Sequence, residues 1–386
     1  MSANALPTRA QPLEPGALLM LSSPSNTTTE PFGPLAAMDA PTTQGFQLSD
    51  EQKQAVEAPL TSHLVLAGPG TGKTRTLTYR AVYAVTRLGV PPSAVLAVTY
   101  TNKATEEMRD RLRRLLPGET GRLAVGTFHS FCLQLLRRYH EHVGLPEYFG
   151  VADEAAQITA LQRLKAGMDE KNAKEILRKF SQVRIGDRRS NAGVGAAVCS
   201  ASPEDLLRAS NSFFAEYEAY LRRNALIDFD DILTLTERLL ANDDVLFEVR
   251  CDWRFILVDE FQDTDAAQYA ILKRLALDWD TNAKTYQNVI PVFAVADDDQ
   301  SIFAWRGARP ENIHQFFTEF LGGDDRAVFR LETNYRCSGN IVAAANRLLA
   351  RAPRLFDKTP RASSRWSACS SVSLRRRHCG NTRRCG

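Results

Sequence analysis

The run Ala67, Gly68, Pro69, Gly70, Thr71, Gly72, Lys73, Thr74 follows an apolar stretch from His63 to Leu66, and Asp259 to Asp263 (Asp-Glu-Phe-Gln-Asp) follows a second, from Phe255 to Val258. Glycines at the first spacing let backbone N–H groups close around phosphates, while Lys73 reaches the terminal phosphates and the Thr74 hydroxyl a magnesium ion. Two carboxylates just past a buried strand, Asp259 and Glu260, can divide the remaining chemistry: one can hold the metal and its neighbour can take a proton from attacking water. A third run, Asp297 to Gly307, places the amide of Gln300 at a strand end, within reach of a γ-phosphate. Trp305 and Arg306 follow it and offer a stacking face and a backbone contact to a nucleic-acid strand. Singly, each run has a plainer reading as a turn, a solvated acidic edge or a core tryptophan. Together they imply an ATP site of the motor type.

Alternating helical and extended patterns must position these groups. The spacing predicts a helix over Glu51 to Glu57, a strand over His63 to Leu66, a helix over Lys73 to Arg87 and a strand over Ala94 to Thr99. Thr101 and Asn102 are N-cap types, and Glu106 and Glu107 are expected in the first turn of the helix they open. A strand from Leu123 to Gly126 and a helix from His129 to Tyr139 complete a parallel α/β opening. The pattern then turns wholly helical, over Glu154 to Val183 and Asn211 to Asn224, and reads as an insertion between strands. Buried strands resume at Phe255 to Val258, Val289 to Ala296 and Val328 to Leu331, before a helix from Asn340 to Ala350.

At 386 residues, 44% of them apolar and 24% charged, the chain has room for a substantial core and about two or three domains. No apolar stretch approaches the roughly 20 residues that span a bilayer. Met1 to Gly45 is rich in Pro, Ser, Thr and Ala and reads as a disordered leader rather than a signal peptide. The net charge of +3 is misleading until divided: residues 359–386 hold seven arginines and no acid, leaving 41 basic against 45 acidic residues before them. Global basicity therefore gives no case for nucleic acid, which must rest on local contacts. Cys132, Cys199, Cys251 and Cys337 are widely spaced and suit free, buried thiols in a reducing, intracellular (cytoplasmic) setting. Past Lys358 periodicity is lost. Residues 359–386 read either as a basic nucleic-acid tail or, preferably, as an out-of-frame or misjoined ending.

From about Leu48 to Leu349 the chain resembles the UvrD/Rep family of superfamily 1 DNA helicases. The resemblance is carried, in order, by the Gln52 segment, Ala67 to Thr74, Val98 to Lys103, Gly126 to Ser130, Asp259 to Asp263, Asp297 to Gly307 and Leu331 to Arg336. It implies an α/β fold: a RecA-like P-loop parallel sheet flanked by helices over 46–140 and 225–334, with an all-helical inserted subdomain over 141–224. A second RecA-like domain begins at 335–358. It further implies that Gln52 reads adenine, that Tyr335 stacks on it, and that Ala67 through Arg75 line the ATP. Thr74 and Asp259 would bind Mg2+, Lys73, Glu260 and Gln300 would serve catalysis, and Arg336 would be an arginine finger. Tyr100, Thr101, Asn102, His129, Trp305 and Arg306 would contact single-stranded DNA.

The implied partners are single-stranded DNA, junctions with duplex, and proteins of repair or replication, with 3′ to 5′ movement and no membrane. Ala296 departs from the family's usual glycine. Family members are roughly twice this length, so the chain reads as an N-terminal portion that hydrolyses ATP poorly and does not unwind duplex alone. The competing reading is a non-catalytic module that binds ATP or single-stranded DNA. A kinase or GTPase sharing only the phosphate loop leaves Asp297 to Gly307 unexplained.

Overall fold

The computed structural model describes residues 47–191, 203–351, 356 and 358–363. The leader, Cys199 and nearly all of the basic tail lie outside them.

Helix α1 (Asp50–Val56) starts where the Ser49 hydroxyl accepts from the Gln52 N–H and the Gln52 side chain answers the Ser49 N–H. Then come β1 (His63–Ala67), α2 (Lys73–Thr86), β2 (Val95–Thr99), α3 (Asn102–Leu115), β3 (Ala124–Thr127) and α4 (Phe128–Arg138). Thr101 caps α3 as expected, but that helix has no acid in its first turn; Glu106 and Glu107 fall later because Asn102 is already helical. After β4 (Gly150–Val151), the single helix expected from Glu154 to Val183 is two, α5 (Glu154–Leu164) and α6 (Glu170–Asn191). Gly167 stands between them at φ +83°, a left-handed turn that ends a helix cheaply only at glycine. Next come α7 (Pro203–Arg223) and β5 (Leu226–Ile227), the latter paired with β4.

The second half adds α8 (Phe229–Leu239), α9 (Asp243–Asp252), β6 (Phe255–Val258), α10 (Ala266–Ala276), β7 (Leu277–Asp280), β8 (Thr285–Asn288), β9 (Val292–Ala296) and α11 (Glu311–Glu319). It ends with β10 (Val328–Leu331), β11 (Thr333–Asn334), α12 (Gly339–Leu349) and β12 (Arg361–Ala362). The sequence patterns had not picked out α8, α9, α10 or α11. The expected strand Val289 to Ala296 is shortened at its start. Its first residues lead out of an antiparallel β7–β8 hairpin, and Pro291, with no N–H to donate, precedes the first ladder residue.

Six strands form one parallel sheet in the order β10-β1-β9-β6-β2-β3. Alternation along each strand feeds two cores. Leu64, Leu66, Val98, Ile256 and Val258 face α4, α8, α10 and α11, whereas Val65, Ala97, Phe255, Leu257 and Val295 face α2 and α3. Both faces are covered, as the apolar runs require, and the α/β class is as expected. A third apolar cluster, including Ile158, Leu161, Phe180, Tyr217 and Leu221, is built mainly from α5 to α7, with Ala152 and Leu226 beside them. Because all six strands run the same way, their C-terminal ends share one edge, where Ala67, Thr99, Thr127, Val258 and Ala296 hand over to loops.

Two expectations change. The boundary at Lys358 falls inside ordered backbone, since β12 pairs in parallel with β11. Among the described cysteines only Cys132 is buried; Cys251 is exposed and Cys337 half-buried, because each lies at an element end rather than on a core face. No helix among the described residues is long and apolar enough to cross a membrane.

Candidate nucleotide site and nucleic-acid cleft

The loop between β1 and α2 is shaped by two left-handed glycines, Gly70 at φ +71° and Gly72 at φ +92°. Gly72 is the N-cap of α2, which has no side-chain cap, so the helix's first N–H groups are left to a ligand. The loop holds itself by the Thr71 hydroxyl donating to Gly68 O at 2.8 Å. Gln52 reaches it from α1: Nε2 donates to Thr71 O at 2.8 Å, and the residue is 2% exposed. With its oxygen engaged by Ser49, the Gln52 amide is here a strut beneath the loop.

Opposite stand the acids at the ends of β6 and β9. Lys73 Nζ lies 3.0 Å from Glu260 Oε2 and 3.6 Å from Asp297 Oδ2, yet makes no well-aligned hydrogen bond although buried. A buried ammonium at the end of a glycine-rich loop, together with a bare helix N-terminus, fits a triphosphate. Asp259 is 3% exposed and bonded to the Thr74 hydroxyl; burial first, then the Glu260 charge, pushes its pKa up to about 6. One carboxylate and one hydroxyl fit magnesium, which takes few protein ligands and completes its shell with phosphate and water. Asp263 is likewise raised to about 6 by burial and by Glu260. Glu260 sits at φ 49°, ψ 49°, a left-handed conformation costing a non-glycine residue roughly 1–2 kcal/mol, which points to a position fixed by function.

Gln300 donates its amide to Asp297, so Lys73, Glu260 and Gln300 converge on one locus through that fully buried carboxylate. Gln262, which carried no assignment in the sequence, bridges the strand ends: Nε2 donates to Glu260 Oε2 at 2.8 Å and Oε1 accepts from the Asp297 N–H at 2.9 Å. The segment Asn334 to Arg336 lies on the phosphate loop. The Asn334 amide donates to Pro69 O at 2.6 Å, and the Tyr335 N–H donates to Gly70 O at 2.9 Å. Tyr335 is 43% exposed, and Arg336 is exposed with its Cβ above Gly70.

A cleft of about 800 Å³ opens beside this site, between the sheet edge and the α5–α6 helices. Tyr100, Thr101, Asn102, His129, Trp305 and Arg306 all line it. Trp305 is 78% exposed and presents an open ring face to this cleft. Arg306 lies over the rings of Tyr100 and Trp305, 5.9 and 5.6 Å from their centroids. Phe303 packs against Tyr100 at 5.2 Å. His129 stacks on half-exposed Phe229, with ring centroids 4.0 Å apart; burial lowers its pKa to about 4 and keeps it neutral. Lys174 and Arg178 of α6 face the sheet edge across the cleft. Phe229, Phe303 and these two cations carried no assignment in the sequence. Only an aromatic in an otherwise polar stretch, such as Phe229 between Asp228 and Asp230, could have flagged one of them.

A glycine-rich phosphate loop and paired strand-end carboxylates on a parallel sheet, next to an aromatic and cationic cleft, define a P-loop nucleotide-binding protein with a second ligand groove. The chain belongs to the UvrD/REP helicase family: the model of the UvrD/REP helicase N-terminal domain matches residues 48–320. It is 36% identical over 303 residues to DNA helicase II of Escherichia coli (strain K12), covering 78% of this chain and 40% of that protein. To the ATP-dependent DNA helicase Rep of the same organism it is 34% identical over 318 residues (81% and 45%), and to the ATP-dependent DNA helicase PcrA of Bacillus subtilis (strain 168) 33% over 313 (78% and 39%). The chain thus spans about 40% of the length of these curated relatives.

Proposed function

We propose that this chain forms the ATP-binding and strand-tracking part of a DNA helicase, which couples hydrolysis to movement on single-stranded DNA. One observation carries the reading. Lys73, Glu260, Asp297 and Gln300 form one linked cluster, and the backbone leaving Gln300 reaches Trp305 and Arg306 in the cleft within six residues.

Bound magnesium-ATP supplies the cleavable phosphoanhydride and an electrophilic γ-phosphorus. The chain's part is positioning and proton handling. The loop N–H groups from Gly70 to Thr74 and the Lys73 ammonium bind phosphate oxygens, and Thr74 with Asp259 would hold the metal. Glu260, at present paired with Lys73, accepts a proton at its carboxylate oxygen once the phosphates draw the lysine away. Gln300 keeps one amide N–H on Asp297 and offers the other to the γ-phosphate, Tyr335 lies against the base, and Arg336 reaches the phosphates from above Gly70. Gln262 ties the Glu260 carboxylate to the Asp297 backbone N–H, so a shift at one strand end is transmitted to the loop that carries Trp305. In the cleft, stacking on Trp305 and on the His129–Phe229 pair holds bases without reading sequence, and the cations hold the backbone. Movement from 3′ to 5′, duplex unwinding at junctions, and partners in repair or replication belong to the same proposal for the full-length activity.

Single-turnover hydrolysis with single-stranded DNA present, comparing the chain with Glu260→Gln, is the test. Glu260→Gln is expected to bind ATP but to lose about a hundredfold or more in rate. Equal rates would remove Glu260 as the base. ATP binding without turnover in either protein would favour the non-catalytic binding module.

A further inference from the structure

Lys358 follows every motif used so far, yet its side chain is 2% exposed. Its ammonium ion-pairs with Asp297 and Asp298 and stands 3.4 Å from Asp299. The backbone that carries it is fastened on several sides. The Asn346 amide of α12 donates to Pro360 O at 2.8 Å, the Arg361 N–H to Glu332 O at 2.7 Å, and the Ser363 N–H to Asn334 O at 3.0 Å. Pro360 packs so closely on the phosphate loop that a Cβ on Gly68 would meet its Cγ at 2.8 Å. Burial alone would drive the Lys358 ammonium to lose its proton, but Asp297 and Asp298 outweigh it and the net shift is upward, so the group stays charged.

The carboxylate it holds is the one at the centre of the nucleotide site. Asp297 presents one oxygen to Lys358, while the other faces Lys73 at 3.6 Å and accepts from the Gln300 amide. The Asp297, Asp298 and Asp299 oxygens lie within 4.8 Å of one another, a spacing at which like charges demand a cation. A diffusible metal would answer that demand independently of the fold. A tethered lysine answers it only while the chain leaving α12 is docked.

We propose that Lys358 is a positioning residue for the γ-phosphate sensor: it fixes Asp297, and through it the Gln300 amide, and so ties the chain leaving α12 to the state of the nucleotide site. The proposal rests on the nucleotide reading above. Without Lys358, Asp297 swings toward Lys73 and Gln300 loses its fixed bearing. Only a nucleotide with a third phosphate is then penalised, because the loop by itself holds the first two.

The test is equilibrium binding of a non-hydrolysable ATP analogue and of ADP, each with magnesium, to the 386-residue chain, to Lys358→Met and to Lys73→Met. Lys358→Met is expected to bind the ATP analogue about tenfold more weakly while ADP affinity holds within about twofold. Loss of both in proportion, or of neither, with cooperative melting retained, overturns the role. A second measurement needs no variant: under acetic anhydride, Lys358 of the unmodified chain should react far more slowly than Lys53 or Lys179, whose side chains are 61% and 64% exposed. Equal reactivity overturns the buried contact itself. If the unmodified chain binds neither nucleotide and Lys73→Met behaves identically, the nucleotide reading has failed, and the acetylation result still reports on Lys358 separately.

Discussion

The Lys73 ammonium stands 3.0 Å from a Glu260 carboxylate oxygen, so the lysine proposed to bind phosphate also pairs with the residue proposed as base. Lys73→Met removes that charge and leaves Glu260 and Asp297 facing each other without it. The expected result is a loss of roughly ten- to a hundredfold in ATP affinity, read as disappearance of the ATP-induced rise in melting temperature. An undiminished rise would show that phosphates bind elsewhere.

Gly70 is where the Asn334–Arg336 segment meets the loop. A Cβ there would come within 2.7 Å of Arg336 Cβ, at φ +71°. Gly70→Ala therefore combines left-handed strain of roughly 1–2 kcal/mol with a backbone-level clash. Lower thermal stability and weakened nucleotide binding are expected together, whereas Gly118→Ala, also at positive φ (+88°) but with nothing within 4 Å, should lose stability alone. Titration of each variant with a fluorescent ATP analogue separates the two outcomes.

Trp305 and Phe229 both line the cleft and should act as stacking faces there. Replacing either with alanine is expected to weaken binding of single-stranded oligonucleotides by about tenfold and to leave nucleotide affinity unchanged. Fluorescence anisotropy of a labelled oligothymidylate gives the first quantity. No change in Trp305→Ala would mean that this exposed ring serves some other contact.

His63 and His129 are both held near pKa 4, chiefly by burial. A histidine whose folded pKa is depressed stays neutral while the unfolded chain takes up a proton. Its contribution to stability is therefore full above about pH 6.5 and declines as pH falls toward 4. Each should tilt stability by about 1.4 kcal/mol per pH unit across that window. Asp259 and Asp263, raised to about 6, act in the opposite sense, because the folded state holds their protons more tightly between pH 4 and 6. Urea unfolding at several pH values should accordingly show a flatter decline below pH 6.5 for His63→Gln/His129→Gln than for the parent chain. Parallel curves would exclude the burial effect.

The sheet and the phosphate loop were legible in the sequence because both follow from local rules. Four- and five-residue apolar runs become strands buried on both faces, and a glycine-rich turn running into Lys73 after such a strand has the spacing of a phosphate loop. Thr101 as a cap, and the loops after Val258 and Ala296, follow from the same short-range logic. Helices α8, α9, α10 and α11 were missed because their burial depends on which sheet face they meet, and no single window of sequence contains that partner.

Spacing and residue type alone singled out Lys73, Asp259, Glu260 and Gln300 as the candidates for handling a nucleotide, and Trp305 and Arg306 as candidates for a nucleic-acid strand. Tertiary structure decided what joins them: Gln262 spanning two strand ends, Phe229 stacked on His129 from 100 residues away, and Lys358 set among three aspartates. Contacts of that kind are made by strand order and helix docking, which bring together charges and rings far apart in the chain. No local pattern records them, because the energy that fixes them belongs to the assembled core rather than to any segment of it.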